Sequence, residues 1–138
     1  MPIEGHILQD GMGRVWVCRG VISGKELIAN NERILISKSY VRWLLIDETE
    51  ATLEISATEI QTIRQQNDRL AAVLPDLVTA VLVPSDVGFG MARMWEILTA
   101  RPGWSTRAFR SRPEAEAWLR EEVRSKFAME LPENLRLP

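Results

Sequence analysis

The chain has 138 residues, of which 46% are hydrophobic and 26% are charged, and its formal net charge is −2. These values are typical of one globular domain that builds its own hydrophobic core. The near balance of charge predicts no nucleic-acid partner and allows at most a peripheral contact with a membrane. A single cysteine, Cys18, and a single histidine, His6, exclude an intrachain disulfide and a metal site built from several thiolates or imidazoles.

The start of the chain and its hydropathy pattern bear on location. Residues 1–11 carry an acid early, at Glu4, and lack the apolar core of a secretory signal. No apolar run reaches the roughly 20 residues that span a bilayer. We therefore predict a cytoplasmic protein without a transmembrane segment. No motif predicts a bound cofactor or metal ion.

The first half of the chain alternates strand-like runs with two helical patterns. Two short runs flank a glycine-rich turn at 11–13 and predict an antiparallel hairpin. Helical spacing follows Ser23 and again follows Ser56, and a glutamate three residues later completes a capping box in each case. Between these helices, the near-continuous apolar run 41–47 predicts a strand buried on both faces. Residues 47–54, which are rich in acids, are interpreted as a link.

The second half repeats the alternation. The run 77–83 predicts another buried strand, and a helix is predicted from Ser85 to about Ala100 (the Ser85 helix). The alternating run 105–111 predicts an edge strand, and Ser111 opens a last helix with one more capping-box pattern.

The order of these elements predicts the fold class. Two strands, three helix–strand units and a final helix indicate a single-domain α/β sandwich. Its mixed sheet has four to five strands, with parallel central strands joined by right-handed crossovers, and about four helices flank it. The predicted domain covers residues 1–127. The tail, 128–138, packs on the domain or on a neighbour, or is loose, as such tails more often are.

The start of the Ser85 helix is the main candidate for binding. Gly88 stands where the other predicted helices carry a glutamate, and each glycine in a helix costs about 1 kcal/mol relative to alanine. This turn follows the carboxyl end of a parallel strand, where open α/β sheets bind their ligands. Close packing of the helix on the sheet is the alternative explanation. The candidate ligand-binding residues are Ser85, Asp86, Gly88, Phe89, Gly90, Met91, Arg93 and Met94.

Other chemistry-bearing residues give weaker signals. The acids of the 47–54 link (Asp47, Glu48, Glu50 and Glu54) lack the residue order of a calcium loop, and solvated acids are commoner than metal ligands. Cys18 is predicted to pack and His6 to lie on the surface. Trp43 and Trp118 are predicted in the core. Trp95 and Trp104 could edge an apolar cleft or a protein contact, although the core is the commoner place for most tryptophans. No set of acid, base and nucleophile emerges, so we predict that the protein is not an enzyme.

Two stretches of sequence resemble the SpoIIAA-like proteins, small bacterial relatives of the STAS and CRAL-TRIO domains. They are 81–98, "VLVPSDVGFGMARMWEIL", and 105–119, "STRAFRSRPEAEAWL". The resemblance implies a mixed sheet of four or five strands flanked by helices.

The resemblance also implies two kinds of function. In the anti-sigma-factor antagonists of the wider group, phosphorylation of a serine before the helix that follows the central strand switches the protein partner. The matching position here is Ser56, with Thr52 and Thr49 as neighbouring acceptors, although the usual Asp-Ser-Ser/Thr-Gly motif is absent. The CRAL-TRIO-like relatives imply an apolar pocket beneath movable helices, for lipid-like ligands.

Two hypotheses follow from the sequence. The first is a non-catalytic binding or regulatory interaction module that uses the Ser85 helix and the acidic link to bind a protein partner or a second copy. The alternative is a carrier or sensor of a small apolar or lipid-like ligand, held in a pocket under the Ser85 helix.

Overall fold

A computed structural model describes residues 3–37, 40–83, 96 and 100–135. Five strands form one mixed sheet in the order β1-β2-β3-β4-β5, in which β1 is antiparallel to β2 and every other neighbouring pair is parallel. The strands are β1 (Ile3–Leu8), β2 (Gly13–Ser23), β3 (Trp43–Glu54), β4 (Val78–Leu82) and β5 (Ser105–Phe109). The described α-helices are α1 (Gly24–Ser37), α2 (Ala57–Val73) and α3 (Arg112–Phe127). The predicted fold class is confirmed, whereas the Ser85 helix lies outside the described residues apart from isolated positions.

The hairpin that opens the chain needs its glycine after the turn. A 3-10 turn, Gln9–Gly11, joins β1 to β2. A Cβ atom on Gly13 would lie 2.1 Å from the indole ring of Trp43, so only glycine fits there. Trp43 is fully buried, and its indole nitrogen donates a hydrogen bond of 2.9 Å to the side chain of Gln9. The turn is thereby held against the central strand.

Capping interactions start the helices where the sequence predicted. The Ser56 hydroxyl accepts a hydrogen bond from the amide of Glu59, whose carboxylate accepts one from the amide of Ser56, and this completes a capping box. Ser23 and Glu26 make the same reciprocal pair. At α3 the Ser111 hydroxyl caps the helix. Each start therefore depends on a local pattern, because only residues within one turn take part.

The two apolar runs predicted as neighbours do pair. Trp43 lies beside Val78 and Asp47 beside Leu82 in a parallel ladder, so β3 and β4 lie side by side in the sheet. The interpretation of 47–54 as a link is wrong, since β3 continues to Glu54. This extension exists because Arg19–Ser23 of β2 pairs with residues 50–54 of β3. An acidic sequence is tolerated there because its side chains are half-buried or exposed.

The sheet separates two apolar layers. Along β3, Trp43 and Leu45 face α3, whereas Leu44 and Ile46 face α1 and α2. This alternation follows from the two-residue period of a strand. The core on the α3 side includes residues of the tail: Leu131 and Leu135 are 7% and 1% exposed.

The tail is fastened to α3 by main-chain hydrogen bonds. The guanidinium of Arg120 donates to the carbonyl oxygens of Leu131, Pro132 and Glu133. Arg112 donates in the same way to the carbonyl of Leu135, at 3.2 Å. The described part of the tail, up to residue 135, therefore packs on the domain, the first of the possibilities considered for it.

Candidate functional site

A cavity of about 110 Å³ lies between the sheet and the helices α1 and α2, and it is open on one side. Its floor is formed by the side chains that β3 and β4 direct towards these helices, among them Leu44, Ile46 and Val81. Ile34 of α1 and Leu70 of α2 contribute to its walls. The lining is predominantly apolar, which is the usual character of a small-molecule pocket.

Two tryptophans edge the cavity. Trp16 of β2 lies beside Ile46 of β3, and Trp104 precedes β5. The indole nitrogen of Trp104 donates a hydrogen bond of 2.6 Å to the carbonyl oxygen of Leu74. The sequence left Trp104 in the core, at the edge of an apolar cleft or at a protein contact, and in the structure it lines the cavity. Trp95 lies outside the described residues.

Polar groups enter the lining at separate places. Thr79 and Thr106 are neighbours on β4 and β5 and lie at the level of Leu44. Asn31 of α1 also lines the cavity, but its amide donates to the side chain of Gln66, at 3.1 Å. These groups add hydroxyls and an amide to an otherwise apolar space.

Gln66 holds the two helices at their spacing above the cavity. It is 2% exposed, and its amide nitrogen donates to the carbonyl oxygen of Ile28 and to the carboxylate of Glu32, at 2.9 and 3.0 Å. A buried amide is stable only when its hydrogen bonds are satisfied. This arrangement fixes the position of α1 relative to α2, and hence the width of the cavity between them and the sheet.

Among the described residues that line the cavity, Glu48 carries the carboxylate. It continues the alternation of Leu44 and Ile46 on the same face of β3, and four residues along a strand correspond to about 13 Å. The β2–β3 pairing is irregular here, between Val17 and Arg19. Burial raises the pKa of Glu48 from 4.5 to about 7, and the neighbouring charge of Asp47 adds to the effect. The site therefore holds a carboxyl group that changes charge near neutral pH.

Cys18 lies next to this acidic end of the cavity. It is buried, as predicted. Burial raises the pKa of its thiol to about 12, with further contributions from Glu48, Asp47 and Glu26. A thiol with this pKa is protonated at neutral pH, so Cys18 is not an activated nucleophile.

The acids of the 47–54 segment do not converge on one point. Asp47 lies on the opposite face from Glu48 and pairs with Arg112 at 3.2 Å, while Glu50 pairs with Arg19 at 3.0 Å. In the described parts of the chain, no group of three or more metal-ligating side chains is arranged to hold an ion. Alternation along the strand separates residues that stand next to one another in the sequence.

The predicted site residues and phosphate acceptors remain predictions. Residues 85–94, which include all eight candidate binding residues, lie outside the described residues. Ser56 is exposed and occupied as the cap of α2. Thr52 is exposed on β3, and the hydroxyl of Thr49 donates to the carboxylate of Asp47 at 2.6 Å.

Glu48 is not among the residues that the sequence predicts to line a pocket. The sequence predicts a pocket under the Ser85 helix, and it indicates that Glu48 is one of several solvated acids. A signal was present, because Leu44, Ile46 and Glu48 alternate and therefore share one face if the strand continues past Asp47. If residues 47–54 are interpreted as a link, the strand ends before Glu48, and the alternation no longer assigns Glu48 to the face of Leu44 and Ile46.

Comparison with known proteins identifies the fold. No protein-family model matches the sequence, and no curated protein matches it significantly. Among solved structures, the chain is similar to an uncharacterized protein of the DUF3478 family from Shewanella loihica PV-4, which has a SpoIIAA-like fold. The two share 15% sequence identity and superpose with a TM-score of 0.56, over 85% of this chain and 91% of that one. The α/β sandwich described above is thus a SpoIIAA-like fold.

Proposed function

We propose that this protein is a non-catalytic binding module that holds a small, largely apolar ligand between the sheet and the helices α1 and α2. The observation that carries this proposal is the apolar cavity of about 110 Å³. The side chains around a cavity of this size make fewer dispersion contacts than side chains in a fully packed core. A ligand that fills the space would restore those contacts.

The dimensions of the cavity limit the ligand. An apolar protein cavity of about 150 Å³ takes up a benzene-sized molecule. A volume of about 110 Å³ therefore suits one small ring or a short branched chain. Because the cavity is open on one side, a longer ligand would place one end inside and extend outward. Both a carrier and a sensor fit this proposal.

The other hypothesis, an interaction surface for a protein partner or a second copy, is retained as a prediction. Its residues on the Ser85 helix lie outside the described part of the chain. Within the described part, no helix combines the length and the apolarity needed to cross a bilayer.

The proposal is tested by titrating the protein with ethylbenzene and following backbone amide shifts by NMR. Val81 lines the cavity, so Val81→Phe should fill the space and abolish the shifts. Val73→Phe is the matched control, because Val73 is 56% exposed on α2 and does not line the cavity. This control should bind like the unmodified protein.

Two results would contradict the proposal. One is the absence of saturable shifts in the unmodified protein. The other is unchanged binding by a folded Val81→Phe variant, which would place the ligand elsewhere. Native mass spectrometry of gently purified protein is an independent measurement, and it should show a retained small molecule.

A further inference from the structure

Glu48 lines the apolar cavity, and its carboxylate has no compensating group among the described residues. Among the described residues, no cation and no hydrogen-bond donor contributes to lowering its pKa; burial and the charge of Asp47 both raise it. Cavities usually fix the orientation of a ligand with a few such polar groups in an apolar lining. Glu48 is half-buried, and a charge that is partly withdrawn from water without a partner is costly, so a partner supplied by the ligand would be favourable.

The groups around Glu48 make this end of the cavity acidic. Asp47 precedes it on β3, and the charge of Asp47 raises the pKa of Glu48. The charges of Glu48, Asp47 and Glu26 of α1 together raise the pKa of the Cys18 thiol on β2, so these acids lie near one another. From α2, the nearby lining residues Ile63 and Asn67 are uncharged.

The arginines that lie beside the neighbouring acids of β3 are already engaged. Arg112 pairs with Asp47 and Glu116, and Arg19 pairs with Glu4 and Glu50. In the described chain, no arginine or lysine is paired with Glu48 in the cavity. The complementary ligand group is therefore positive, or at least a hydrogen-bond donor.

We propose that the cavity selects small amphipathic amines, with the apolar body on Leu44 and Ile46 and the ammonium group on the Glu48 carboxylate. This inference rests on the proposed function and adds the chemical class of the ligand. Charge-assisted hydrogen bonds between an ammonium and a carboxylate are about twice as strong as neutral ones. The ion pair also makes binding selective for amines over carboxylates of similar shape, because Glu48 would repel a negatively charged ligand.

The affinity for an amine should depend on pH through Glu48. The ammonium binds the ionised carboxylate, and the pKa of Glu48 is about 7 in the free protein. Benzylamine stays protonated up to about pH 9, so only the protein side titrates between about pH 6 and pH 8. The affinity should therefore fall as the pH is lowered through that interval.

The test compares three probes of one shape by NMR titration: benzylamine, its neutral isostere ethylbenzene, and benzoate. At pH 8 we expect benzylamine to bind roughly tenfold or more tightly than ethylbenzene and benzoate to bind most weakly. Glu48→Gln should remove the advantage of benzylamine while it retains binding of ethylbenzene. Glu50→Gln is the matched control, because it removes an exposed carboxylate of the same strand that does not line the cavity.

The outcomes separate this inference from the proposed function. The inferred preference for amines is wrong if benzylamine binds no more tightly than ethylbenzene, or if Glu48→Gln still binds benzylamine more tightly than ethylbenzene. In both cases binding of ethylbenzene would still support the proposed apolar ligand site. Preferred binding of benzoate would also overturn the inference. If none of the three probes binds the unmodified protein, the proposed function itself fails.

Discussion

The indole nitrogen of Trp104 donates a 2.6 Å hydrogen bond to the carbonyl oxygen of Leu74. Leu74 directly follows α2, and Trp104 directly precedes β5. One hydrogen bond therefore joins the carboxyl end of a helix to the edge strand of the sheet. Since both residues also line the cavity, this bond fixes one of its edges.

Removing that bond should destabilise the domain. Trp104→Phe retains a ring but leaves the Leu74 carbonyl without this donor, so we expect the free energy of unfolding to fall by about 1–2 kcal/mol beyond the loss of ring area. Urea denaturation, monitored by circular dichroism, measures this change in the free energy of unfolding. The control is Trp118→Phe, which removes the same atoms from a ring that packs on Phe109. Equal losses for the two variants would show that the bond contributes nothing.

Arg120 should matter more for stability than Arg124. Arg120 donates to three main-chain carbonyls of the tail, whereas Arg124 pairs with the exposed side chains of Glu121 and Glu130. Hydrogen bonds from a charged donor contribute about 1.5–3 kcal/mol, while exposed ion pairs contribute about 0–1 kcal/mol.

We therefore expect Arg120→Met to lower the free energy of unfolding by about 2 kcal/mol and to speed proteolysis within the tail. Arg124→Met should change stability by less than about 1 kcal/mol. Limited proteolysis with mass spectrometry locates the cuts. If cleavage of the tail is equally slow in both variants, the proposed role of Arg120 is wrong.

Ionisation of Glu48 should weaken the fold as the pH rises. Its pKa in the folded protein, about 7, lies above its ordinary value of 4.5. A group whose pKa is raised by folding stabilises the folded state at low pH. This stabilisation is lost as the pH rises to the pKa of the group in the folded protein. The loss should develop between about pH 4.5 and pH 7 and amount to on the order of 3 kcal/mol.

Glu48→Gln should remove this dependence. Near pH 4 the variant and the unmodified protein should have similar free energies of unfolding. At pH 8 the free energy of unfolding of the variant should be the higher of the two. Urea midpoints at several pH values measure the difference, and Glu50→Gln is the control for loss of an exposed acid on the same strand. Parallel pH profiles for the unmodified protein and Glu48→Gln would refute the assignment.

Cys18 should be unreactive in the folded protein. It is 2% exposed, and its thiol has a pKa of about 12 because of burial and the nearby acids. Thiol reagents attack the thiolate, so labelling at pH 8 should be negligible in buffer and complete in denaturing urea. Mass spectrometry counts the adducts. Rapid stoichiometric labelling without urea would show that Cys18 is accessible.

Much of the architecture could be predicted from local patterns in the chain. Ser56 and Glu59 predict a helix start because a capping box involves only residues within one turn. The apolar runs 41–47 and 77–83 predict buried strands because both of their faces must avoid water. Chain order and right-handed crossovers then predict parallel neighbours, which the sheet confirms.

The position and the lining of the cavity depend on contacts between distant parts of the chain. Residues 50–54 are a strand only because Arg19–Ser23 lies beside them, and that continuation brings Glu48 onto the face of Leu44 and Ile46. The spacing of α1 and α2 depends on Gln66, which reaches across to Ile28. Local propensity predicts elements, but an empty volume is what remains after distant elements have packed. Its position and its charge therefore emerge only in three dimensions.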